Sequence, residues 1–159
     1  CSALTSISFG DALVDIQEGA FADCTSLKSL DLPVDTVKTI GAGAFRGCSS
    51  LTSFTVPDNV GAIEADTFRG CTSLSSVTLP KTVVTIGDRA FYGCDSLKSL
   101  TIYRTVSEMG SNIFTPRTED NQLTIYCYVN TTADKYTYPE NVIKSYWALE
   151  EIAVDGGNI

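Results

Sequence analysis

GAGAFRGCSSLTSFTVP, Gly41 to Pro57, is the stretch that decides how this chain folds, because it recurs with substitutions on both sides of itself. Its core, AFRGC at Ala44 to Cys48, has counterparts in AFADC at Ala20 to Cys24, TFRGC at Thr67 to Cys71 and AFYGC at Ala90 to Cys94. By subtraction of positions, Cys1, Cys24, Cys48, Cys71 and Cys94 lie 23, 24, 23 and 23 apart, a period that marks stacked repeats rather than one globular core. Each of the last four cysteines is followed by the same apolar frame: Leu27, Leu30 and Leu32; Leu51, Phe54 and Val56; Leu74, Val77 and Leu79; Leu97, Leu100 and Ile102. Pro33, Pro57 and Pro80 close three of these frames, and a second apolar pair follows, as in Val37 with Ile40, Val60 with Ile63 and Val83 with Ile86. The single longer interval, from Cys24 to Cys48, traces to an extra residue between Pro33 and Val37.

Within a unit, Leu30-Asp31-Leu32, Phe54-Thr55-Val56, Val77-Thr78-Leu79 and Leu100-Thr101-Ile102 alternate apolar with polar, the pattern of a short strand with one buried face. Such strands are too short to stand alone, so they must stack one per turn as a parallel ladder with neighbours about 4.8 Å apart. The proline after the strand has no N–H for that ladder and ends it. Gly19, Gly41, Gly43, Gly47, Gly70, Gly87 and Gly93 then supply the bends that close each turn. Phe21, Phe45, Phe68, Phe91 and Phe114 recur in phase, which predicts an aromatic spine that is core packing rather than a ligand channel.

With 159 residues and 43% apolar content, the chain reads as one continuous stack and one domain. A net charge of -8 and a pI near 4.4 oppose any general attraction to nucleic acid or to anionic membranes. No apolar run approaches the roughly 18 residues of a membrane span, and no secretion leader opens the sequence. The chain begins in mid-repeat at Cys1, as if cut from a longer array.

LKSLDLP, then VKTI, then GAGAFRGCSSL resembles the BspA-like (Treponema-type) leucine-rich repeat, over roughly residues 1–126. The resemblance implies a leucine-rich-repeat solenoid: a right-handed α/β-type coil of about five turns with a parallel β-sheet on its concave face. Little regular helix is expected outside a C-terminal capping unit at residues 127–159. The resemblance further implies a secreted or cell-surface protein of host-associated bacteria or parasitic protists, engaged in adhesion to host proteins or neighbouring cells.

Six cysteines in an extracellular chain raise the question of disulfides. Equivalent positions in successive turns lie about one ladder spacing apart with parallel side chains, whereas a disulfide needs Cβ atoms about 3.8 Å apart and pointing at each other. Cys24, Cys48, Cys71 and Cys94 therefore read as buried thiols acting as small hydrophobes. Cys127 lies off the repeat register and reads as free. Without histidine or closely paired ligands, no zinc site is expected.

The last repeat departs from the pattern. Counting from Phe114, Arg117 takes the cysteine position and Asp120 the first leucine position, a polar and looser turn, while Leu123 and Ile125 stay in phase with Leu100 and Ile102 at the spacing of the other repeats. Thr131 or Thr132 can cap a short helix through Lys135 and Tyr136. Asn130-Thr131-Thr132 also fits a glycosylation acceptor, but in a bacterial protein it reads as a turn and helix cap. Val142, Ile143, Tyr146, Trp147 and Leu149 fall on one helical face, predicting a helical plug with Trp147 in the core of the cap.

No catalytic apparatus is legible, so no enzyme and no cofactor are expected. A histidine base and a glycine-rich phosphate loop are both lacking, and the acidic residues are scattered one or two to a unit. What the repeat offers is a surface. If Leu30 and Leu32 point inward, Ser29, Asp31 and Pro33 point outward. The equivalents are Ser53, Thr55 and Pro57, then Ser76, Thr78 and Pro80, then Ser99, Thr101 and Tyr103, then Gln122, Thr124 and Tyr126. This ladder of small hydroxyls, ending in Tyr103 and Tyr126, is the candidate ligand-binding strip for a protein or glycan partner. The alternative is a structural spacer that projects another domain and has no ligand of its own. No nucleic acid and no membrane insertion are expected, and the oligomeric state is left open.

Overall fold

The computed structural model describes residues 1–147. The alternating triplets form the expected strands, one per turn: β1 (Ser6–Ser8), β3 (Ser29–Asp31), β5 (Ser53–Thr55), β7 (Ser76–Thr78), β9 (Ser99–Thr101) and β11 (Leu123–Cys127). Pairing is parallel and in phase, with Ile7 beside Leu30 and Phe54 beside Val77. The hydrogen-bonded ladder is regular within β1–β3, β5–β7 and β9–β11 and lapses between those groups. The apolar pairs that follow, expected only to turn the chain inward, build a second parallel ladder. It comprises β2 (Asp15–Ile16), β4 (Thr39–Ile40), β6 (Ala62–Ile63), β8 (Thr85–Ile86) and β10 (Glu108–Met109), paired as β2–β4 and β6–β8–β10 with a lapse between β4 and β6. The extra residue near Pro33 is absorbed in its turn. Val37 donates to the carbonyl of Pro33 four residues back, where Val60 and Val83 reach only three residues back to Pro57 and Pro80.

Between the ladders the phenylalanines superpose. Ring centroids from Phe21 through Phe45, Phe68 and Phe91 to Phe114 are 5.5, 5.6, 5.5 and 6.0 Å apart with interplanar angles of 6–9°. Beside them run the cysteines, all free, with Cys24, Cys48, Cys71 and Cys94 fully buried. The Sγ of Cys48, Cys71 and Cys94 donates to the carbonyl of Phe21, Phe45 and Phe68, each at 3.1 Å. The turn before each thiol is left-handed, at Asp23 and then at Gly47, Gly70 and Gly93 (φ +73, +75 and +78°). Gly41 and Gly87 serve closeness rather than bending: a Cβ there would lie 2.5 Å from the Glu18 nitrogen and 2.6 Å from the Ala65 nitrogen of the preceding turn.

The end of the stack corrects the sequence reading in three ways. First, Ile125 pairs with Leu100 and Tyr126 with Thr101, so the last step is longer than the regular repeat by two positions. The added chain is taken up before β11, where Glu119–Asn121 form a 3-10 turn. Cys127 thus falls opposite Ile102 and is fully buried in the strand row. Second, the polar turn is tight rather than loose. Arg117 is 5% exposed, and its guanidinium donates to the carbonyls of Asp95 at 2.7 Å and Cys94 at 2.6 Å. Third, Val142–Tyr146 is not a helix but a strand, β12, parallel to β11 with Val142 beside Leu123 and Tyr146 beside Cys127.

The physical reason for the third correction is the open edge of β11, whose backbone groups need partners that a helix cannot give. Leu149, the last member of the expected helical face, lies outside the described residues. The short helix forms as expected: α1 (Thr132–Lys135) has Thr131 as its N-cap, the Thr131 hydroxyl accepting from the Asp134 N–H at 3.3 Å. Asp134 in turn accepts from the Asn130 N–H, the Tyr146 hydroxyl and Lys144 at 2.9, 2.8 and 3.3 Å. Those donors hold its carboxyl below the usual range, the Asn130 N–H most of all.

Candidate interaction surface

The alternation within each strand places one side chain in the core and the next in solvent. Accordingly Ser29, Asp31, Ser53, Thr55, Ser76, Thr78 and Ser99 are exposed, and Thr101, Tyr103 and Thr124 are half-buried on the same face. Tyr126 is 37% exposed. Ser53 lies beside Ser76, Thr55 beside Thr78, Thr124 beside Ser99 and Tyr126 beside Thr101. The ladder of hydroxyls is therefore real, with Asp31 its one acidic rung. Pro57, expected to point outward, is buried, and Pro33 and Pro80 are half-buried: the chain has left the strand by then and packs them against the turn.

Ser29, Asp31, Ser53 and Thr55 border a groove of about 220 Å³ with Val34 at its rim. It opens where β3 and β5 lack a regular ladder.

The longer last step shifts the tyrosines. Tyr126 neighbours Thr101 and not Tyr103, so the two predicted aromatics are staggered along the sheet instead of side by side. A further aromatic group on this face was missed in the sequence. Trp147, expected inside the cap, is half-buried, with its ring 5.9 Å from Tyr126 and 6.2 Å from Tyr128. The guanidinium of Arg104 lies 4.8 Å from the centre of the Tyr128 ring, and Lys81 sits 5.7 Å over Tyr103, both within reach of a cation–π attraction. Reading 142–146 with a period of two would have put Ile143, Ser145 and Trp147 on the face of Thr124 and Tyr126. The run Val142 to Trp147 does not itself alternate apolar with polar, so the sequence carries only a weak sign of that strand.

Chemically, the face can bury flat contact area and exchange hydrogen bonds through small hydroxyls. Among the described residues no group of three or more histidine, cysteine, aspartate or glutamate side chains gathers to hold a metal. The thiols are sealed away: burial pushes Cys48 up to about 11 and Cys94 up to about 12, and Cys71 higher still.

The family model described as BspA type Leucine rich repeat region matches residues 1–121 in 6 copies. Among solved structures, the chain is similar to a leucine-rich repeat protein from Bacteroides ovatus, with a TM-score of 0.70 and 26% identity over 89% of this chain and 34% of that one. It is similar to a leucine rich cell surface protein from Faecalibacterium prausnitzii, with a TM-score of 0.62 and 30% identity over 86% of this chain and 40% of that one. A leucine-rich repeat protein of T. pallidum shares the fold alone, at a TM-score of 0.64 and 23% identity over 89% of this chain and 72% of that one. The chain thus spans 34% and 40% of the length of the first two. A comparison with curated proteins finds no match.

Proposed function

Because the chain belongs to the BspA-type leucine-rich repeat family, we propose that it is a non-catalytic interaction module of a secreted or cell-surface protein, which adheres to a host or neighbouring-cell protein, or to a glycan, on its concave sheet. In this reading residues 1–126 form the repeat array and residues 127–159 its capping unit. The observation that carries it is the composition of one face: a row of small side chains, neutral but for Asp31, leading to Tyr126, Trp147 and Arg104. Tyrosine, tryptophan and arginine are the residues on which interface energy concentrates, and solenoids present such extended faces to partners. The name of the Faecalibacterium neighbour supports a surface location. Among the described residues no helix is long and apolar enough to cross a membrane.

The test is capture of surface-exposed host and bacterial proteins on the immobilised chain, repeated with Thr101→Ala, Tyr103→Ala and Tyr126→Ala. The binding reading requires weaker capture with stability changed by no more than about 0.5 kcal/mol, as for ordinary surface substitutions. Undiminished capture by all three variants removes the concave face as the site. A chain that captures nothing is a spacer.

A further inference from the structure

Away from the strand face, the last regular turn and the chain after it border an open cavity of about 330 Å³ where the phenylalanine spine ends. Tyr92, Tyr136, Tyr138 and the edge of the nearly buried Phe114 line it, and Asn112 and Thr137 bring polar groups to it. Two of the tyrosines are locked in place. The Tyr136 hydroxyl accepts from the Ile113 N–H at 3.2 Å, the Tyr138 hydroxyl donates to the Ala133 carbonyl at 2.8 Å, and the two rings meet edge to face at 4.9 Å.

Tyr92 is 38% exposed, and its position carries Ala22, Arg46 and Arg69 in earlier turns, so the repeat itself does not require an aromatic there. Among the described residues the Tyr92 hydroxyl, the Asn112 amide and the Thr137 hydroxyl have no hydrogen-bond partner. Among the described residues no charged side chain lines the cavity, although the chain carries a net charge of -8.

We propose that this cavity binds an uncharged pyranose ring, as a free hexose or as the terminal residue of a glycan, at a site separate from the concave face. Small-molecule sites are concave and mostly apolar, with a few placed polar groups that set orientation. A pyranose matches that arrangement: its C–H face packs on an aromatic ring and its rim of hydroxyls meets amide and hydroxyl groups. The described lining offers an ionised ligand no counter-charge. A proline-rich segment is the competing occupant of a tyrosine-lined groove. The Phe114, Tyr138 and Tyr136 rings are tilted to one another by 35° and 66° and do not line up as successive parallel ridges, which favours one ring over an extended peptide.

The experiment is saturation-transfer NMR with calorimetry on the whole chain. The probes are glucose, galactose, mannose, N-acetylglucosamine, their methyl glycosides, oligosaccharides ending in the same rings, and a proline-rich peptide. The expected result is millimolar binding of at least one neutral sugar, weakened about tenfold by Tyr92→Ala and also by Asn112→Gly. The second variant keeps the left-handed backbone of Asn112 (φ +52°) while removing its amide. Binding of free hexoses and methyl glycosides identifies a free-sugar site; binding of the oligosaccharides alone identifies a glycan end. Thr101→Ala on the concave face should leave the signal unchanged, so failure of that face and failure of this cavity are separable. The proposal is overturned if no sugar gives a signal, if both cavity variants bind as well as the parent, or if the peptide binds and the sugars do not.

Discussion

Alkali should unfold this protein through its buried thiols. Cys48 is pushed up to about 11, Cys94 up to about 12 and Cys71 further, in each case first by burial. The thiol of Cys24 beside Cys48, and those of Cys94 and Cys48 beside Cys71, push in the same direction. An unfolded thiol ionises near pH ~8.5. Above that pH the folded state keeps protons that the unfolded state has lost, so the stabilisation is fully present at neutral pH and drains away as the pH climbs towards the folded values. Each thiol contributes a slope of about 1.4 kcal/mol per pH unit. Over about two pH units the three together remove on the order of 8 kcal/mol, comparable to the whole stability of a typical domain at about 5–15 kcal/mol.

The assay is urea unfolding followed by far-UV circular dichroism in reductant, in steps from neutral pH upward. Cys71→Ala should flatten the dependence by one thiol's slope, whatever it costs in packing. Replacing the exposed Cys1 should leave the slope as it was. Equal slopes in the parent and Cys71→Ala would refute the reasoning. So would modification of Cys71 in the folded protein by a thiol reagent at neutral pH as fast as in the unfolded chain.

Three further outcomes are expected. Phe68 stacks between Phe45 and Phe91 at 5.6 and 5.5 Å and is fully buried, so Phe68→Ala should cost about 3–5 kcal/mol in equilibrium unfolding, while Phe21→Ala at the half-buried edge should cost less. Arg117→Ala strands the carbonyls of Cys94 and Asp95 that its guanidinium caps, and chemical denaturation should show a loss of about 1–3 kcal/mol. Two hydrogen bonds of 2.8 Å from Arg89 hold the Asp66 carboxyl below the usual range. The stabilisation from that pair is present above pH ~4 and disappears as the pH falls through the lowered value, so Arg89→Ala should reduce the acid sensitivity of the melting temperature; an unchanged acid limb would count against the pairing.

Much of this architecture could be read from the chain. The frame Leu27, Leu30, Leu32 and its copies announced the strand ladder, and the phased phenylalanines announced the spine, because each repeat meets the same neighbours above and below and so repeats the same residue choices. The exposed hydroxyls followed from the period of two. The second ladder was hidden because two-residue strands such as Thr85–Ile86 leave no alternation to see. The end of the array was misread for a related reason. Leu123 and Ile125 lie one regular repeat after Leu100 and Ile102 in the sequence, yet Ile125 pairs with Leu100. A parallel strand can slip by two residues and still keep its apolar face inward, so hydrophobic pattern alone does not choose between the two registers.

Sequence periodicity by itself determined that this chain is a stack of short, near-identical turns, which side chains face inward, and that its thiols are buried rather than paired, since those properties depend only on the contact between one copy and the next. Tertiary structure decided what happens where copies run out. The guanidinium of Arg117 bonded to two carbonyls of the preceding turn, the edge of β11 claiming residues 142–146 as a strand, and the delivery of Trp147 to the side of Tyr126 all arise from backbone groups that lose their repeating partner. No local pattern records that loss, because it belongs to the departure from the repeat after Phe114 and not to any single copy.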